Sequence, residues 1–83
     1  MMSALPPQVP WRRFVGVLRK LGYTPQKGKA GSARSFFNPS RNPQVVSFRE
    51  PHPGHNMLQR ILHEYLRKLL LSPDEFIRLL EEC

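Results

Sequence analysis

Between Pro10 and Leu21 the apolar residues fall at Trp11, Phe14, Val15, Leu18 and Leu21, the spacing of one face of an α-helix, and then the period stops. Arg12, Arg13, Arg19 and Lys20 take the other side. Pro10 suits a first helical turn, and Gly22 stands where a left-handed C-cap is expected, so the sequence marks both ends. A helix this amphipathic must bury its stripe against the rest of the chain.

The next stretch is not helical. From Tyr23 to Arg49 short segments are punctuated by Gly28, Gly31, Pro39 and Pro43, the pattern of strands joined by turns. Three strands are predicted, near Tyr23 to Lys27, Ser32 to Asn38 and Gln44 to Arg49, with links short enough for an antiparallel meander. In the third, Val46 and Phe48 share one face while Val45, Ser47 and Arg49 share the wetter one. In the second, Phe36 and Phe37 lie on opposite faces, so alternation alone does not choose the core phenylalanine.

The helical period returns with Leu58, Ile61, Leu62, Tyr65, Leu66 and Leu69, and Asn56 is read as its N-cap. Gln59, Arg60, His63, Glu64, Arg67 and Lys68 would face water. Ser72 and Glu75 have the spacing of a capping box, with Pro73 at the first position of a last helix anchored by Phe76, Ile77 and Leu80. The order α-β-β-β-α-α implies an α+β fold, a small three-stranded antiparallel sheet with helices on one face. With 83 residues there is room for one core, so residues 10–83 read as a single domain after a flexible, proline-rich lead-in over 1–9.

Charge is distributed as unevenly as hydropathy. Nine basic residues, Arg12 to Arg49, precede the first acid, Glu50; the remainder holds four basic and six acidic residues, so +9 and −2 give the net +7. Such a balance favours a polyanion, nucleic acid first and a membrane surface second, and puts the anion-binding face in the first half. Met1 to Pro10 has neither the charged leader nor the apolar run that a signal peptide or membrane span needs. The lone Cys83 cannot form an internal disulfide. Both point to a cytoplasmic protein.

The chain resembles a known family through a basic helix ending in Leu21-Gly22-Tyr23, a hairpin Lys27-Gly28-Lys29-Ala30-Gly31-Ser32, and a strand ending in Asn38-Pro39. Further on come Pro51-His52, the run Ile61 to Lys68, and Ser72-Pro73-Asp74-Glu75-Phe76. Over residues 11–81 these resemble the HicA, or YcfA-like, toxins. The resemblance implies a fold like that of a double-stranded-RNA-binding domain. It also implies a bacterial toxin that cleaves messenger RNA with little sequence preference and is neutralised by a HicB antitoxin. It implies a catalytic histidine directly after the hairpin's Gly-Ser, where this chain has Ala33. For chains reading Gly-Ser-Ala-Arg it implies a histidine at position 49, where this chain has Arg49.

Cleavage through a neighbouring 2′-hydroxyl needs a base, an acid, and positive charge beside the phosphate. Among the three histidines His52 is the first candidate, since it leaves the third strand between Pro51 and Pro53, with Glu50 placed to orient it or to pair with Arg49. A loop histidine bonded to a nearby carbonyl is the alternative. His55 ranks second and His63 reads as solvated. Lys27, Lys29, Ser32, Arg34 and Arg49 are the candidate phosphate ligands, with the helix cations Arg12, Arg13, Arg19 and Lys20 extending the footprint. Trp11 and Tyr65 sit in apolar stripes and read as core. His52 and His55 lack further ligands for a metal, and no cofactor is expected. Two functions remain open: an endoribonuclease, or an RNA-binding or antitoxin-docking module of the same fold that does not cut.

Overall fold

The computed structural model describes residues 5–26, 33–52 and 54–82. Its elements are β1 (Gln8–Val9), α1 (Trp11–Leu21), β2 (Thr24–Pro25), β3 (Ala33–Phe37), β4 (Val45–Arg49), β5 (Met57–Leu58), α2 (Gln59–Leu69) and α3 (Pro73–Glu82). The fold is α+β: β2, β3 and β4 form an antiparallel meander in that order.

The ends of α1 follow its sequence signals. The carbonyl of Pro10 accepts from the N–H groups of Arg13 and Phe14, and Gly22 closes the helix at φ 102° with its N–H on the Arg19 carbonyl. A Cβ on Gly22 would also lie 2.9 Å from the Asn38 side-chain nitrogen, which donates to the Leu21 carbonyl. The buried side of α1 is Phe14, Val17 and Leu18, with Trp11, Val15 and Leu21 packed around it.

Opposite α1 lies the apolar face of the sheet. Phe36 is 3 % exposed while Phe37 is only partly buried, which settles what alternation left open. Phe36 joins Val46 and Phe48 because Phe36 pairs with Val46, and Arg34 with Phe48, on the same side of the pleat. Leu62, Leu66 and Leu69 of α2 and Phe76 and Leu80 of α3 complete the core. The capping box forms, Ser72 Oγ accepting from the Glu75 N–H and donating to its carboxylate.

Two expectations require correction. Asn56 does not cap α2, which starts after Leu58; its side chain donates to Gln8 Oε1 instead. Leu58 is not in the buried stripe but 51 % exposed, because residues 57–58 are extended and pair with Gln8–Val9. The lead-in carries structure near its end: Leu5 and Val9 are 4 % and 1 % exposed, and Gln59 donates to the Leu5 carbonyl at 2.7 Å. Two apolar side chains in a proline-rich stretch are enough to dock it.

α2 ends in a left-handed turn made by a leucine, Leu70, at φ 56° and 66 % exposure. A side chain costs about 1–2 kcal/mol in that conformation, whereas glycine adopts it freely. Leu70→Gly is expected to raise stability by about 0.5–1 kcal/mol after the larger chain entropy of glycine is subtracted. A higher urea midpoint at unchanged slope is the result to look for, and a lower one would mean that the Leu70 side chain has a packing role of its own.

Candidate functional site

β4 is an edge strand, and an edge exposes alternate N–H and C=O groups that need partners. α2 supplies them. The Tyr65 hydroxyl accepts from the Arg49 N–H at 3.1 Å and donates to the Arg49 carbonyl at 3.3 Å. One turn on, Lys68 Nζ donates to the Ser47 carbonyl at 2.6 Å and lies 5.3 Å from the centre of the Phe48 ring. Lys68 is exposed, as its place on the polar face of α2 implies, yet it is committed to the strand.

Beyond the Tyr65 clamp the chain leaves β4 and turns back toward β5, which opens a cleft of about 350 Å³ between this loop and the first turns of α2. Arg49, Glu50, His52, His55, Asn56 and Tyr65 line it, over an apolar wall that includes Met57 and Ile61. The reversal needs Gly54, whose φ of 85° few side chains tolerate, and it is held by the His55 N–H on the His52 carbonyl at 2.9 Å. The two imidazoles meet edge to face with ring centres 6.1 Å apart, and both residues are exposed.

The cations of the cleft are held differently. Among the described residues the Arg49 guanidinium makes no hydrogen bond or ion pair of its own. Arg34 Nε lies 3.0 Å from the Glu50 carboxylate, with both side chains more than a third exposed. Glu50 therefore serves Arg34, and not His52 or Arg49. An exposed pair of this kind contributes about 0–1 kcal/mol, little enough for a phosphate to take the place of the carboxylate.

Register adds one relation the sequence could not supply. Ala33 and Arg49 are direct cross-strand partners on the sheet face away from the core. Cβ atoms so placed are about 4.5–5.5 Å apart, so the two positions at which the resemblance implies a histidine open onto one spot. Behind them on the same face Ser35 and Ser47 share a hydrogen bond of 2.9 Å.

Of the expected site residues, His52 and Arg49 come together in the cleft and Arg34 reaches it through Glu50. Lys27, Lys29 and Ser32, with Gly28, Gly31 and Pro53, lie outside the described residues. The footprint does not extend evenly along α1: Arg13 donates to the Leu80 carbonyl at 3.1 Å and Lys20 lies 3.4 Å from Glu82, both at the C-terminal end of α3. A helix end carries partial negative charge, and these two bases answer it. His63 is exposed on α2 and does not line the cleft. Trp11 packs against Phe14 and Phe36, in keeping with a core role.

Tyr65 and Asn56 are polar cleft residues that sequence reasoning placed elsewhere. For Tyr65 a signal existed, since a hydroxyl in an otherwise apolar stripe must find a partner when the ring is buried. Among the described residues no three histidine, cysteine or acidic side chains are grouped as a metal ion would need. No helix of the described residues is long and apolar enough to cross a membrane. No protein-family model matches the chain, and neither a curated protein nor a solved structure is similar enough to be matched to it.

Proposed function

We propose that this chain is an endoribonuclease of the toxin type, an mRNA interferase of HicA character acting in the bacterial cytoplasm and held in check by a HicB-like antitoxin. The observation that carries the reading is the cleft itself, whose lining brings His52 and Arg49 together. Imidazole can move protons at neutral pH, and guanidinium stabilises the charge that builds on a phosphate under attack. Arg34 adds a second cation once RNA displaces Glu50. The net charge of +7 suits both RNA and an acidic partner that must cover the same surface. The chemistry assigned to these residues calls on no cofactor.

A second reading, an RNA-binding or antitoxin-docking module that does not cut, draws on Ala33. Ala33 has no proton to exchange and its partner Arg49 does not give one up at neutral pH, so this pair of positions is left with binding alone.

Incubation of the purified protein with mixed RNA, and with DNA of matching sequence, separates the two readings. The nuclease is expected to shorten RNA and leave DNA intact, because the attacking 2′-hydroxyl is absent from DNA. Both readings expect RNA affinity to fall steeply with salt; contacts to two or three phosphates imply a log–log slope of about −1.5 to −2 for single strands. RNA left whole at protein excess, with that slope intact, would select the binder. Binding insensitive to salt would sink both.

A further inference from the structure

We propose that His55 is the second proton carrier of the cleft, so that His52 and His55 work as a base–acid pair on one RNA phosphate; this rests on the ribonuclease reading above and extends it. A single imidazole can take the proton of the 2′-hydroxyl, but the departing 5′-oxygen also needs one, and neither arginine can give it. The cleft contains a second imidazole in a fitting place. The rings meet edge to face with centres 6.1 Å apart, close enough for one phosphate seated beside them to be within reach of both imidazoles.

Their spacing is built into the backbone. Gly54 at φ 85° lets the chain double back between them, and the bond from the His55 N–H to the His52 carbonyl fixes the turn. Asn56, the next residue, is tied through its side chain to Gln8, which anchors the loop to β1. The charged and titratable groups facing the pair are Arg49 and Glu50 on the β4 side and Tyr65 on α2. β1 offers only the Gln8 amide, and Arg34 of β3 lies 3.0 Å from the Glu50 carboxylate. The Tyr65 hydroxyl is taken up by the Arg49 backbone, which leaves the two imidazoles and the Glu50 carboxylate as the groups able to exchange protons.

In the reaction the neutral ring accepts the 2′-hydroxyl proton as O2′ bonds to phosphorus. The bond from phosphorus to O5′ breaks, and the protonated ring delivers its proton to O5′. The products are a 2′,3′-cyclic phosphate and a free 5′-hydroxyl. No electron is transferred and no water is consumed, and the rings return to their starting states by exchange with solvent. Arg49 stands beside the phosphate throughout.

Uridine 3′-monophosphate and oligouridylate are the probes. In NMR spectra the ring resonances of both His52 and His55 are expected to move on adding the nucleotide, while those of His63 stay put. The rate of oligouridylate cleavage by the wild-type chain should trace a bell against pH, and His55→Ala should lose one limb and on the order of 10²-fold or more in rate. His55 is exposed and its ring makes no hydrogen bond among the described residues, so the variant should keep its circular dichroism. Cleavage by His55→Ala within twofold of wild type, with the bell intact, would refute the pair and leave the ribonuclease standing. A nucleotide that shifts His52 alone, or shifts both rings of a protein that never cuts, would likewise overturn it. No shift and no cleavage would bring down the pair and the ribonuclease together.

Discussion

Phe14→Ala is expected to lower the stability of this chain by about 3–5 kcal/mol, the usual effect of deleting a fully buried phenylalanine. The ring is 0 % exposed and touches every layer of the core. Its centre lies 5.2 Å from Phe48 of the sheet, 5.8 Å from Tyr65 of α2 and 6.1 Å from Phe76 of α3. Its contact with Phe48 is edge to face, at 90°. Removing it opens a cavity where three elements converge, and none of them can collapse inward without losing its own register. For 83 residues a total stability of about 4–12 kcal/mol is ordinary, so the loss removes at least about a quarter of it and, at the lower end of that range, all of it. Urea titration followed by circular dichroism reads the loss; a midpoint corresponding to less than about 1.5 kcal/mol would mean that the core repacks around the gap, as well-tolerated core changes do.

The second large effect concerns activity. His52→Ala is expected to lower kcat/KM for RNA by about 10²–10⁴-fold, the range over which a positioned acid or base contributes. RNA affinity should change little, because Arg49 and Arg34 keep their places in β4 and β3. His52 is exposed and outside the core, so its loss should leave the melting curve where it was. Measuring cleavage and equilibrium binding on the same oligonucleotide separates chemistry from attachment. Equal losses in both would assign His52 to binding, and cleavage within a few-fold of wild type would remove it from the reaction.

Much of the architecture was legible because it is local. α1 announces itself by its stripe and by Gly22, β4 by strict alternation, and α3 by the Ser72–Glu75 box, all of which form. The readings that missed depend on distant partners. Asn56 has every attribute of a cap, yet Gln8 claims it from 48 positions away. Leu58 continues an apolar period but is drawn out of the helix by its pairing with Gln8. Phe36 and Phe37 are equivalent in sequence, and only the pairing of β3 with β4 tells them apart.

The site divides in the same way. His52 stood out because it lies in the loop leaving the third strand, beside the basic stretch, between two prolines that stiffen the backbone. The relation of Ala33 to Arg49 could not be read, since it follows from strand register. Nor could the fate of Glu50, which had Arg49 as its neighbour in the chain but Arg34 as its partner in space. Arg13 and Lys20 looked like part of one basic footprint until the end of α3 came to lie beside them.

The short pairing of Gln8 with Leu58 and Val9 with Met57 joins segments 48–50 positions apart. Bringing such remote pieces together costs more chain entropy than forming a hairpin, so contacts of this type tend to close late and to open first. The segment that closes is also the one that finishes the histidine loop, since β5 begins two residues after His55 and Gln8 holds the intervening Asn56. On the ribonuclease reading proposed above, the histidine loop would complete its geometry only when the pairing of β1 with β5 closes, and the chemistry would come and go with that contact.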